Sequence, residues 1–490
     1  MFRINKNTIR TFAATAALAA CVAVASPAVS ESSGRIELTV EQAVMTAIQN
    51  NGSLDVQKYD YRVTKLGEET QKSTFDLKMS DSLSTSGSKS SSSTKTDSLS
   101  NDFSVSKLLS SGAELEFGLS MDKSGSAAAD NSYSTRFGVS LSKPLFKGAG
   151  SDVNLVGIRK AELNTEISRY ELEDYVKELA ASVESMYWDY ALALRNIEIY
   201  EDSLELAKQQ LEEAEKLVEV GRTAEIDLVA AKAEVALRES SLVSARGQLE
   251  SLRLDFLRLL NPSESDYWDY EVVIKENLQM PETQPGVLDD HIETALSMRP
   301  DLKQARLSID KNELEVVVTK NGLLPDLGLI VTAGRTGYDG SFGGSVTDIA
   351  DDAYDVRLGL QYQYTFGRRS DKVQHSQAVL KKEQSEKALT NLELQVQRDI
   401  RESWVNMETA KQKVASAAAS RVLQEEKLRA EVEKNRVGKS TSLLVATAQR
   451  DFLSSQIEEA RSVAGYITSL TELYRLEGSL LDRYGISVFD

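Results

Sequence analysis

Cysteine is almost absent: 490 residues contain one, Cys21. A chain this poor in thiols builds no disulfide framework and offers no cluster of sulfur ligands. Histidine is nearly as scarce. His291 and His375 are far apart and lack metal-ligand spacing, so they read as solvated helix residues. With no nucleophile elbow and no phosphate-binding loop, the sequence argues against an enzyme and calls for no cofactor. Only seven prolines occur, which leaves room for long uninterrupted helices. Basic residues are outnumbered, 57 against 75, for a net charge of -18. That excludes a nucleic-acid binder, which needs a basic face. It suits a lumen that attracts cations, and equally an ordinary solvated acidic surface. Beyond the N-terminus no run of about 18 apolar residues exists, so a passage through a bilayer would have to use β-strands.

The first thirty residues have the pattern of a secretory signal. Arg3, Lys6 and Arg10 precede an Ala-rich apolar stretch from Thr11 to Ala25, and small residues follow at Ser26, Ala28 and Ser30. The stretch Leu18-Ala19-Ala20-Cys21 resembles a bacterial lipoprotein cleavage box, which would leave Cys21 lipidated. Ordinary cleavage nearer Ala28 or Ser30 is the alternative.

Residues 31–74 carry a helical pattern, with Val40, Ala43, Val44, Ala47 and Ile48 on one face. Residues 75–145 change character. They are rich in Ser, Thr and Gly, and apolar positions alternate: Leu115, Phe117, Leu119 and Met121 in one run, Tyr133, Phe137, Val139 and Leu141 in another. Period two is the signature of a strand with two unlike faces. The run Ser90 to Ser93 reads as a loop, and an additional alternating run begins at Phe103 and Val105, more than one hairpin needs. Residues 146–260 form a long helical hairpin. Its first arm, about Asp152 to Glu219, has the stripe Leu179, Val183, Met186, Tyr190, Leu194 and Ile197, at coiled-coil spacing. Val220-Gly221 breaks it, and the return arm ends at Asn261-Pro262. Residues 261–287, with three prolines, read as an irregular side element.

The plan then repeats. Residues 288–322 are helical, 323–367 hold a second strand hairpin, and 368–477 a second helical hairpin, before a tail at 478–490. The strand at 355–366 alternates Val356, Leu358, Leu360 and Tyr362 with Arg357, Gly359, Gln361 and Gln363. It has the length a tilted strand needs to cross a bilayer. The second long helix bears Leu389, Leu392, Val396, Ile400, Trp404 and Met407. The breaks match as well: Val220-Gly221-Arg222-Thr223 returns as Val437-Gly438-Lys439-Ser440. The chain is an internal duplication.

Strands with one apolar and one polar face fit a soluble sheet or a barrel with lipid outside and water inside. Export, the great helix lengths and the wet Gln, Gly and Thr face of 355–366 favour the barrel. Two hairpins give four strands, too few to close around water, so the barrel has to be shared between chains. Three chains would supply twelve strands. The helices, each amphipathic and with no globular domain to pack on, would line up into a cylinder.

These phrases, with Ser142-Lys143-Pro144-Leu145-Phe146-Lys147-Gly148 and Asn321-Gly322-Leu323-Leu324-Pro325, resemble the TolC-like outer-membrane efflux protein family over nearly the whole mature chain. The resemblance implies an α+β membrane protein. Its fold would be a homotrimer with a 12-stranded β-barrel, four strands per protomer, in outer-membrane lipid, continuous with a long α-helical barrel in the periplasm. Its function would be passive export from an inner-membrane pump through a periplasmic adaptor. The resemblance further implies that the adaptor docks on Val220, Gly221, Arg222, Thr223, Val437, Gly438, Lys439 and Ser440, and that Asp227 pairs with Lys439 as a gate. Where the family carries acids after the second turn, this chain has Leu444 and Thr447, which weakens the case for an anionic ring. An exported coiled-coil, adhesin-like scaffold with a soluble β-tip is the rival reading.

Overall fold

The computed structural model describes residues 34–89, 95–126, 129–221, 224–262, 267–281, 285–350 and 354–487. The signal segment and Cys21 lie outside the described residues. The chain opens with β1 (Arg35–Leu38), α1 (Val40–Asn50) and α2 (Gly52–Lys72), then runs through β2 (Lys78–Lys89), β3 (Lys95–Leu108), β4 (Glu114–Ser126) and β5 (Ala129–Pro144). A short α3 (Ser151–Asn154) leads to the helical hairpin α4 (Val156–Glu219) and α5 (Glu225–Leu260), followed by β6 (Glu271–Ile274). The second half has α6 (Leu288–Met298), α7 (Pro300–Gly322), β7 (Asp326–Asp339), α8 (Phe342–Asp348) and β8 (Tyr354–Gln363). It closes with the hairpin α9 (Arg369–Arg436) and α10 (Ser442–Glu477), then α11 (Leu480–Arg483).

Four expectations about the elements need correction. The expected four strands per chain are six among the described residues, in one antiparallel sheet ordered β2-β3-β4-β5-β7-β8. The additional pair, β2 and β3, contains the alternating run that begins at Phe103 and Val105; serine occupies most of the polar positions of β2, so its apolar alternation is sparse. Residues 31–74 are a strand and two helices, broken where the Asn51 side chain accepts from the Ser53 and Leu54 amides at 3.0 and 3.1 Å. The irregular segment 261–287 contains β6, which pairs in parallel with β1. The strand expected to reach Phe366 ends at Gln363, and Gly367 (φ 86°) and Arg368 (φ 45°) then turn the chain into α9.

The helices form a wall four columns wide. Near the sheet the lateral order is α2-α4-α7-α9; farther away it is α5-α4-α10-α9. At 64 and 68 residues, α4 and α9 span both tiers and are each about 100 Å long. The other two columns are built from shorter helices placed end to end. The Asn51 amide donates to the Leu259 carbonyl at 3.1 Å, and the Asn261 amide to the Asn50 carbonyl at 2.7 Å, which joins the end of α5 to the start of α2. In the second repeat Arg299 reaches the Leu476 carbonyl at 3.5 Å and so joins α10 to α7. The same junction is thus made by different side chains.

The main core surrounds these junctions. Val183, Tyr187, Phe256, Ile400, Met407 and Leu473 are fully buried there. The stripes expected on α4 and α9 supply much of it, because side chains at three- and four-residue steps share one helix face. Tyr187 and Tyr190 donate hydroxyls to the carbonyls of Leu38 and Val272, both at 3.2 Å, which ties the β1-β6 sheet to α4. Burial among apolar side chains pushes the Tyr187 phenol up to about 12. His291, expected to be solvated, is instead buried and bonded through Nδ1 to the Glu477 carboxylate. It sits where α6 meets the end of α10, a packing that helical periodicity alone does not reveal.

Replacing Asn51 with Ala removes a helix cap and the bond to Leu259. Unfolding free energy should fall by about 1–2 kcal/mol. Urea denaturation followed by far-UV circular dichroism would show an earlier midpoint at unchanged slope.

Candidate functional site

The candidate site is the pair of helix reversals far from the sheet. Both are dictated by local backbone needs. Each helix leaves carbonyls unpaired at its end, and a residue at positive φ turns the chain to cover them. Gly221 (φ 68°) and Gly438 (φ 75°) take that conformation without a Cβ clash. At the second reversal the Lys439 amide donates back to the Lys434 carbonyl at 2.8 Å, and the Gly438 amide to Asn435 at 2.9 Å. At the first, the Gly221 amide donates to Val218 at 2.9 Å and the Val220 amide to Lys216 at 3.2 Å. Arg222 and Thr223, also expected at this site, lie outside the described residues.

The return helices start differently. Thr441 caps α10, its hydroxyl accepting from the Leu444 amide at 3.4 Å. Ala224, which begins α5, has no capping side chain, and Glu225 and Asp227 instead place negative charge in the first turn. Asp227 is engaged by a neighbouring group. Ser440 donates to Glu431 at 2.7 Å, and Lys434 bonds the other oxygen of that carboxylate at 2.6 Å. The Lys434 ammonium, with the Ser440 hydroxyl, holds the Glu431 carboxyl below its ordinary range.

Both reversals also carry exposed apolar residues. Val220 and Val437 are 66% and 65% exposed, Ile226 and Leu443 are 71% and 70% exposed, and Val229 and Leu444 are exposed nearby. Sequence reasoning centred on the glycines and missed Ile226, Val229, Leu443 and Leu444. Their signal was present: they are the apolar residues of the duplicated phrase, at positions where a helix hairpin offers them no internal partner.

Asp227 and Lys439 lie in different columns. The first is on α5, at one edge of the four-helix row, and the second follows α9, at the other edge. At the opposite end of the molecule the two longest shared phrases meet. The Gly148 amide donates to Asn321 Oδ1 at 2.7 Å, and the Leu145 amide to the Leu327 carbonyl at 2.7 Å. The Arg368 guanidinium grips the carbonyls of Gly322, Leu323 and Leu324. These contacts fasten the end of β5 to the end of α7 and the start of β7, and the start of α9 to the end of α7. Among the described residues no group of three His, Cys, Asp or Glu is placed to hold a metal, and no helix is long and apolar enough to cross a membrane.

Comparison with known proteins adds three findings. The family model described as outer membrane efflux protein matches residues 82–261 and 291–479. Among curated relatives, the outer membrane efflux protein BepC of Brucella suis biovar 1 is 22% identical over 357 residues, 72% of this chain and 74% of that protein. The alkaline protease secretion protein AprF of Pseudomonas aeruginosa is 31% identical over 140 residues, 28% of this chain; that match spans only 26% of AprF. Among solved structures, the CmeC outer membrane channel of Campylobacter jejuni superposes with a TM-score of 0.65 at 16% identity, covering 90% of this chain and 86% of that one.

The hydrogen bonds to Glu431 make a pH prediction. Its carboxyl has a lower pKa folded than unfolded, so the stability it adds is present above the unfolded value near 4.3 and is lost as pH falls through the folded one. Glu431→Gln should mimic that loss at neutral pH and release Ser440. Trypsin should then cut faster after Lys439, with the rest of the digestion pattern unchanged.

Proposed function

Because this chain belongs to the outer membrane efflux protein family, we propose that it is the outer-membrane duct of a tripartite export system. It works as a homotrimer that passes cargo from an inner-membrane pump and periplasmic adaptor through a helical tunnel and a β-barrel. One observation carries this reading. Every tier of the molecule ends at the same two open edges. The sheet ends at β2 and β8, the upper helices at α2 and α9, the lower helices at α5 and α9. A contact between unlike edges joins copies head to tail and closes into a ring when the rotation allows.

The edges are apolar where they need to be. On α2, Val56, Tyr59, Val63 and Leu66 are all exposed at steps of three and four. On α9, Val373, Leu380 and Leu394 are exposed at multiples of seven. These are coiled-coil stripes without a partner in their own chain, and the opposite edge of the next copy supplies one. The apolar face of the sheet, which includes Leu329, Val331, Leu358 and Leu360, faces lipid; the face carrying Arg357, Gln361 and Gln363 faces water. The rival scaffold reading lacks support from the family match, which covers the strands and helices together.

The adaptor docks at the tip, on Val220, Gly221, Arg222 and Thr223 with Val437, Gly438, Lys439 and Ser440. Ile226 and Leu443 extend that surface. The gate is Asp227 with Lys439, formed between neighbouring copies, since these residues occupy opposite edges of one chain. The relatives' names span efflux and protease secretion; the cargo is set by the pump that the duct joins.

In outer-membrane fractions the protein should migrate as a heat-modifiable trimer, and purified trimer should conduct in planar bilayers. Recovery only from the soluble periplasm would sink the duct. Lys439→Glu should raise conductance by turning an attraction into a repulsion; an unchanged pore removes the gate but leaves the duct standing.

A further inference from the structure

We infer that the membrane barrel of this protein has eighteen strands, with β2 of one copy pairing with β8 of the next. The inference rests on the ring proposed above. Its basis is the placement of the serine-rich hairpin β2-β3. That hairpin is neither a loose loop nor a separate layer. The β3-β4 ladder runs unbroken from Thr96 opposite Ser126 to Leu108 opposite Glu114. The β2-β3 ladder runs from Lys78 opposite Ser106 to Lys89 opposite Lys95. The free edge on that side of the sheet therefore belongs to β2, and β4 has none to offer.

The faces agree with this placement. Register puts Met79 opposite Val105, Val105 opposite Phe117, and Phe103 opposite Leu119. The apolar face thus continues across the additional hairpin. Near that belt Asp81 and Asn101 interrupt the face, and they satisfy each other: Asn101 donates to Asp81 at 2.9 Å. The other face carries paired hydroxyls: Ser80 with Ser104 at 2.8 Å, Ser84 with Ser100 at 2.6 Å, and Ser86 with Ser98 at 2.8 Å. Were the hairpin splayed over the outside of a smaller barrel, one of these faces would meet the wrong medium. Set into the wall, serines line water and apolar side chains meet lipid.

Backbone at an edge cannot stay unpaired in lipid. Strand direction alternates across all six strands, so β8 of one copy and β2 of the next meet antiparallel. Circumference favours the same count. At about 4.8 Å between strands and about 40° of tilt, eighteen strands measure about 113 Å around and twelve about 75 Å. A ring of three four-helix rows, with axes about 9 Å apart, measures about 108 Å. Eighteen strands continue the tunnel at its own width, and twelve would narrow it. The consequence for cargo is an exit no tighter than the tunnel, walled by serines together with Asp102, Glu116, Arg136 and Arg357.

Cysteine pairs test this between copies of the full-length trimer. Cysteines replacing Ser80, Ser82 or Ser84 on β2 are combined with cysteines replacing Arg357, Gly359 or Gln361 on β8, with each single variant as control. At least one combination should give covalent trimers on denaturing, non-reducing gels. A second set pairs the same β8 positions with Glu116, Gly118 and Ser120 on β4. Cross-linking there would overturn the proposal, since it requires β4 to be an edge. Absence of any β2-β8 product in an intact heat-modifiable trimer would overturn it too, and leave the duct untouched; loss of the trimer itself would count against both. Electron cryomicroscopy of trimer in nanodiscs gives an independent answer: a backbone diameter of about 36 Å supports eighteen strands, and about 24 Å refutes them.

Discussion

A helix of 64 residues and another of 68 cannot bury their apolar stripes in a domain of ordinary size. They can only lie beside other helices of comparable reach. That constraint organises the rest. The chain supplies two continuous columns and assembles two more from shorter helices, so that each long helix has neighbours along its length. The longest uncovered helix stripes lie at the lateral edges, on α2 and α9, and exposed apolar residues also mark the tip. The same requirement acts on the sheet, whose backbone edges need partners just as the helix stripes do. An open wall with matching open edges at every height is incomplete as a single chain, and its incompleteness is directional.

The junctions at mid-height show how duplication was elaborated. In the first repeat, Asn51 caps α2 and reaches back to Leu259. In the second, Pro300 opens α7 and Arg299, paired with Asp301, reaches back to Leu476. Backbone geometry is kept while the chemistry differs: an amide does the work on one side and a guanidinium on the other. Around them, the Tyr187 hydroxyl, His291 Nδ1 and the Tyr484 hydroxyl are polar atoms brought into the core with a partner, while His291 Nε2 is buried without one; Tyr484 donates to Glu184 at 2.6 Å. Burial among apolar neighbours raises the carboxyl of Glu184 above its usual range despite that bond. The molecule is therefore most specific, and most demanding of exact pairing, at its waist.

Much of this was legible in the chain. Long stripes on α4 and α9, the repeated Val-Gly phrase and the alternating strands announced rods, reversals and a two-faced sheet. What escaped did so for physical reasons. Serine has little preference for either face, so the run at Phe103 and Val105 was legible on β3 while its partner β2, with Leu83 among serines, lacked the contrast that alternation relies on. The break at Asn51 lies within a continuous helical pattern, and only the Asn50-Asn51-Gly52-Ser53 cluster hinted at it. At the tip, the glycines drew attention because their conformation is unusual. Ile226 and Leu443 look like core positions until the structure leaves them with nothing to cover. Which edges face which copy is not a property of periodicity at all; it emerges once columns have an order.

The alternation of whole and jointed columns has a mechanical meaning. Across the row, α2 and α5 form a jointed stave, α4 an unbroken one, α7 and α10 a jointed one, and α9 an unbroken one. A wall of this kind twists where its weaker staves are articulated. Only α4 and α9 carry unbroken helix past mid-height, so the other two columns resist a twist there through the hydrogen bonds of Asn51, Asn261 and Arg299.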